Sequence, residues 1–119
     1  MLDILLYVTS IAQWSRDRAA NQQFVRSAIQ RIRSRGYEPG VYTNFYDWQQ
    51  ITNNLSGLGS DVRLWYWRVF SPDELGESSQ SFDDFRPFAD FAAPVVKQFS
   101  QNATVCRQSG VNRNVIKLQ

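Results

Sequence analysis

Residues 3–9 read DILLYVT, five apolar side chains in succession closed by Thr9 and Ser10. A run this short and this continuous reads as a strand buried on both faces; a half-solvated strand would alternate apolar and polar positions. Burial on both faces is the mark of a parallel sheet, so the segments that follow should supply crossovers. A helix is predicted from about Ala19 to Ser34, where Phe24, Val25, Ala28, Ile29 and Ile32 form one apolar stripe and Gly36 stands at the stop. The Pro39-Gly40 turn opens a second strand, roughly Gly40–Asn44. Residues 46–52 (YDWQQIT) predict a short helix and NNLSGLGS a loop.

DVRLWYWRVF predicts a third strand, with Trp65, Trp67 and Val69 on one side and Leu64, Tyr66 and Arg68 on the other. A long acidic loop leads to SFDDFRPF, where Ser81 is placed to cap a helix turn whose Asp83 and Asp84 suit its positive end. PVVKQFS and ATVCRQSGVNRNVI are expected to supply two further short strands. Strands separated by helices and loops imply parallel pairing and an α/β fold.

With 119 residues the chain is one domain, 1–119, long enough for a real core. Eight Phe, five Tyr and four Trp suit a large core or a ligand groove. The net charge of +2 demands no anionic partner. Six arginines crowd residues 16–35, but they alternate with the helix's apolar stripe as surface residues do, so no nucleic-acid partner is expected. MLDILLYV lacks a basic start and is too short for a signal's apolar region or a membrane span, so neither signal peptide nor membrane partner is expected. The absence of histidine removes serine–histidine and cysteine–histidine catalysis, and the single Cys106 cannot build a zinc site. No cofactor and no metal are expected.

Taken together, ANQQFVRSAIQRIRSRGYEPGVYTNFYDWQQI, LWYW, FDDFRPFADFAAPVVKQF and TVC…VNRNV, in that order, resemble the glycoside hydrolase family 25 lysozymes over about residues 4–116. The likeness is greatest to the lysozyme-like proteins of nematodes and protists. It implies a (β/α) barrel that cuts the sugar backbone of bacterial peptidoglycan, generally secreted and associated in animals with innate defence. What is matched is the second half of such a domain: a partial TIM-type barrel, with LWYWRV as its sixth strand and function at the C-terminal strand ends. The resemblance places Tyr42 near the sugar, with Trp65 and Trp67 on the substrate side.

Glycoside hydrolysis by protein acids needs two carboxyl groups flanking the scissile bond. The family's Asp-x-Glu pair, counted back from Trp14, falls on Tyr7 and Thr9; another register puts it on Asp3 and Leu5. A third family carboxylate, in V-D-x-N, falls on Asn112. No catalytic carboxylate is therefore expected, since a phenol, a hydroxyl and an amide offer no useful acid near neutral pH. Asp17, Glu38 and Asp61 are expected on the wrong side of the strands, and Asp73, Glu74, Glu77, Asp83 and Asp84 in a solvated loop and helix start. Cys106 resembles a family cysteine whose partner would lie in the other half, and is expected to be a buried thiol.

The resemblance thus implies a lysozyme-like protein that is inactive or binds sugar only, with bacterial cell-wall glycan as partner. Two alternatives stand beside it. One is an active lysozyme whose chain is truncated or mis-spliced around residue 10; the other is a non-enzymatic signalling or interaction protein. The family implies an extracellular location, although this chain shows no signal. Uncovered strand edges in half a barrel predict self-association.

Overall fold

The computed structural model describes residues 4–116. Asp3, and with it the alternative acid register, lies outside the described residues. In chain order the elements are β1 (Ile4–Tyr7), α1 (Arg18–Ser34), β2 (Pro39–Thr43), α2 (Phe45–Thr52), β3 (Arg63–Trp67), β4 (Val96–Val105) and β5 (Gln108–Ile116). Short 3-10 turns lie at Ile11–Gln13 and Glu74–Gly76. The strands form one sheet in the order β1-β2-β3-β4-β5, curled into a half-barrel.

β1 is not buried on both faces as its unbroken apolar run predicts: it is an edge strand of the described sheet, with Ile4 38% and Tyr7 62% exposed. The first three strand pairs are parallel, as the alternation of strands with helices and loops predicts. The last pair departs from that expectation: β4 and β5 are an antiparallel hairpin. Cys106 and Arg107 both take positive φ, 51° and 66°, between the paired Val105 and Gln108. Two such residues form the kind of turn whose twist matches a hairpin's strands, so the chain reverses inside what reads as one strand. Cys106 is consequently exposed on that turn rather than buried.

Caps fix both helices. Asp17 accepts hydrogen bonds from the amides of Ala19 and Ala20 at the start of α1, and Asn44 accepts one from Asp47 N at the start of α2. From α1, Val25 and Ile29 are fully buried, whereas Phe24, expected in the same stripe, is 57% exposed and meets Trp14 edge-on. The core lies on the convex side of the sheet, where Val8, Val41, Leu64 and Tyr66 pack against α1 and against Trp48 and Ile51 of α2. Trp48 is fully buried, donates its indole N–H to Leu55 O at 3.0 Å and packs edge-on to Phe91.

SFDDFRPF forms turns, not the predicted helix turn. Lys97, fully buried, donates to the carbonyls of Ser79 (2.6 Å) and Ser81 (2.9 Å) and to Asp84 Oδ2 (2.9 Å). Gathering these two carbonyls and the carboxylate around one buried ammonium holds the segment in turns. Phe82, Phe85, Phe88 and Phe91 instead pack beside Tyr66 and Trp48, closing the end of the core. Among the described residues no helix is long and apolar enough to cross a membrane.

Candidate functional site

In-register neighbours of a sheet project to the same face, so the pairs Tyr7↔Tyr42 and Tyr42↔Trp65 build a row of rings across three strands. Ring centroids are 4.9 Å apart for Tyr7 and Tyr42 and 6.1 Å apart for Tyr42 and Trp65. Two residues on, Trp67 faces the same way, paired with Gln98, which pairs in turn with Asn114. This is the concave face, opposite the core, and its rings are half-buried or exposed; Tyr7 is 62% exposed.

Amides run along the row of rings. The Tyr42 hydroxyl donates to Gln98 Oε1 at 2.7 Å, the Gln101 amide donates to the same oxygen at 2.8 Å, and Trp65 Nε1 donates to Asn114 Oδ1 at 3.0 Å. Burial pushes the Tyr42 phenol up to about 12, so it stays protonated at any physiological pH.

At the C-terminal ends of the parallel strands a cavity of about 510 Å³ opens, lined by Thr9, Ser10, Tyr42, Asp47, Trp67 and Gln101 among others. Asp47 is the carboxylate of this cavity and the residue that sequence reading missed. It occupies the third position of α2, where an acid commonly serves the helix start, and nothing local marks it for another role. The fold brings it to Thr9, 38 residues away, whose hydroxyl donates to Asp47 Oδ2. The Thr9 hydroxyl also accepts from Trp67 Nε1 at 3.2 Å, so the indole, the threonine and the carboxylate form one chain of hydrogen bonds. Burial pushes the Asp47 carboxyl up, with the Thr9 bond pulling the other way.

Trp67 is also a wall of a second cavity of about 580 Å³, whose other walls include Phe45, Tyr46, Arg68, Phe70, Arg86 and Phe88. This space is apolar and sits beyond the ends of β2 and β3.

Of the positions where the resemblance puts family acids, Tyr7 and Thr9 belong to the concave face and its cavity, and Asn112 does not. Asn112 lies on the hairpin, where its side-chain oxygen accepts from Asn102 N at 3.1 Å. The substrate-side expectations Tyr42, Trp65 and Trp67 do come together. Gln98, Gln101 and Asn114 escaped sequence reading because isolated amides carry no pattern.

Several of the other acids are engaged elsewhere. Asp17 follows β1 and so lies on the side of the C-terminal strand ends, not opposite it as expected, but its carboxylate caps α1. Asp61 pairs with Arg33 and Glu77 with Arg113 (2.7 Å). Asp73 caps the second 3-10 turn, Glu74 accepts from Thr104 N and Asp90 from the amides of Gly57 and Leu58. Among the described residues no three His, Cys, Asp or Glu side chains group to hold a metal ion.

A family model described as Lysozyme-like protein 1 matches residues 1–99. Lysozyme-like protein 7 of Caenorhabditis elegans is 46% identical over 112 residues, which cover 94% of this chain and 39% of the relative. Lysozyme-like protein 1 of the same organism is also 46% identical, covering 94% of this chain and 37% of the relative. Probable GH family 25 lysozyme 4 of Dictyostelium discoideum is 34% identical over 97 residues, covering 80% of this chain and 41% of the relative. The chain thus spans about two-fifths of the length of these relatives. No solved structure matches it.

Proposed function

The chain belongs to the lysozyme-like protein family related to the glycoside hydrolase family 25 lysozymes, and from that premise we propose that it binds bacterial cell-wall glycan without cleaving it. The observation that carries this reading is the row of Tyr7, Tyr42 and Trp65, continued by Trp67, with Gln98, Gln101 and Asn114 alongside. Aromatic faces take the C–H faces of sugar rings, and side-chain amides serve hydroxyls as both donor and acceptor. Hydrolysis calls for two carboxyl groups about the scissile bond. The cavity at the strand ends offers Asp47 alone, and the resemblance puts the family's acids on Tyr7, Thr9 and Asn112, none of them a carboxylic acid.

On this reading the protein works outside the cell in defence against bacteria, holding wall material rather than degrading it. β1 and β5 are the outer strands of the described sheet, and pairing of such edges between copies is the self-association proposed with it.

The test is co-sedimentation with purified peptidoglycan, run beside an assay for released reducing ends. Binding that falls in Trp65→Ala and Trp67→Ala, with no release above a buffer control, is the expected result. Release of reducing ends would overturn the non-cleaving reading; absence of binding would overturn the glycan reading. A sedimentation-velocity run giving a monomer at all concentrations would remove self-association.

A further inference from the structure

Resting on the glycan-binding reading, we infer that the Asp47 cavity is a subsite for an amino sugar with a free amino group, its ammonium pairing with the Asp47 carboxylate while Tyr42 and Trp67 wall the ring. The inference starts from charge. Thr9 and Ser10 after β1, Tyr42 of β2, Asn44 at the head of α2, Trp67 of β3 and Gln101 of β4 surround the carboxylate, and all are neutral. The titratable members of this group are the Tyr42 phenol, raised to about 12, and Tyr7 beside it. No Lys or Arg is among the described residues that line the cavity, and the cations next in sequence to the adjoining elements are engaged: Arg18 bonds Asn53, while Arg68 pairs with Asp84 and lies over Phe70.

Asp47 is 8% exposed, and a carboxylate withdrawn from water without a counter-charge is held at a cost. The positive end of α2 offsets part of it, but α2 has eight residues and burial still pushes the carboxyl up. One oxygen is used: Oδ2 accepts from Thr9 and is 3.4 Å from Asn44 Nδ2. Oδ1 accepts from no described residue, and it is not a sealed atom, since Ser100 Oγ is the buried side-chain atom without a partner among the described residues. It is therefore an acceptor open to the cavity.

What fits an open carboxylate between two aromatic walls is a cation that also presents an apolar ring face. A charged amine on a pyranose meets both demands, whereas phosphate or a carboxylated sugar would find like charge and no cation. An N-acetylated sugar fits the walls and leaves the carboxylate unpaired. The charge-assisted bond therefore discriminates between the two forms of one sugar.

Binding of two probes to the full chain, followed by tryptophan fluorescence or calorimetry, tests this. One probe is a chitosan oligosaccharide, whose glucosamine units carry free amines; the other is the N-acetylated chitin oligosaccharide of the same length. The free-amine probe is expected to bind about tenfold more tightly near neutral pH. Its affinity should pass through a maximum with pH, since acid discharges Asp47 and base discharges the amine, while the chitin probe gives a flat profile. Asp47→Asn keeps an oxygen for the Thr9 hydroxyl; it should erase the preference, with an unchanged circular dichroism spectrum showing that the variant is folded. Equal affinity for both probes, or a preference that survives Asp47→Asn, overturns the subsite and leaves the glycan reading standing. Failure of both probes to bind, with peptidoglycan also left in solution, overturns both.

Discussion

Replacing Asp84 by asparagine tests whether the irregular segment over the core is held by the ion pair beneath it. Lys97 is fully buried, and its three bonds go to Ser79 O, Ser81 O and Asp84 Oδ2. Asp84 is a quarter exposed and also takes the Tyr66 hydroxyl at 2.7 Å and Arg68 Nε at 3.4 Å. Breaking a buried pair by removing one partner costs about 3–5 kcal/mol. Two carbonyls still serve the ammonium and water reaches the asparagine, so Asp84→Asn should cost about 2–3 kcal/mol. Lys97→Met leaves Asp84 with Tyr66, Arg68 and solvent, and should cost less, about 1–2 kcal/mol.

Because both single changes remove the same Lys97–Asp84 interaction, the double variant should fall short of the sum by about 1–2 kcal/mol. Urea denaturation at neutral pH reads all three. The same series carries a pH signature. Burial alone would push the Asp84 carboxyl up, yet the Tyr66 and Lys97 bonds, with the Lys97 and Arg68 charges, together hold it below the usual range. A carboxyl lowered by folding contributes stability in full above its unfolded value and loses it as pH falls through the folded one. Asp84→Asn should lack that acid limb. An Asp84→Asn variant within about 0.5 kcal/mol of wild type, or single costs that simply add, would refute this account of the segment.

Trp48→Ala removes a fully buried ring, its bond to Leu55 O and its contact with Phe91, and should cost about 3–5 kcal/mol by urea denaturation. For Asp47 the sign is opposite to that of Asp84. Its folded value is raised, so its contribution stands in full below the unfolded value and is lost as pH rises through the folded one. The stability of Asp47→Asn relative to wild type should therefore improve from acid toward neutral pH, and a constant difference would refute it. Cys106, exposed on the β4–β5 turn, should react with a thiol reagent in the native protein as fast as in urea; protection in the native state would place it back in a core.

What was legible in the sequence is what short-range pattern controls. The alternation of strand-like and helix-like segments gives the parallel pairing of β1, β2 and β3, whereas the unbroken run of β1 overstates its burial, since β1 lies at the sheet edge with Ile4 and Tyr7 exposed. The helix stripe gives Val25 and Ile29, but it overreaches at Phe24, which is exposed and meets Trp14 instead. Ser81 followed by Asp83 and Asp84 reads as a capped helix start, yet the segment forms turns. Lys97, whose buried ammonium has no short-range signature, holds the carbonyls of Ser79 and Ser81 instead. The hairpin turn was hidden for a simpler reason: Cys106 and Arg107 adopt positive φ without the Asn or Gly that normally marks it.

The site divides along the same line. Tyr42, Trp65 and Trp67 stand on strands whose two-residue period assigns them to one face, and the pairing of β2 with β3 puts them beside one another. A slip of one residue in β3 would exchange Trp65 and Trp67 for Leu64 and Tyr66, burying the platform and exposing the core. Leu64, 1% exposed, and Tyr66, tied to Asp84, forbid that slip. The rings are thus held on the concave face by the residues between them. Asp47 has no such neighbour to announce it. It comes from a helix start, and it becomes part of the site because β1 ends in Thr9 directly opposite it and Thr9 in turn receives the indole N–H of Trp67. A carboxylate joined through one hydroxyl to the ring that walls both cavities is a consequence of three chain segments meeting, and no single one of them carries the signal.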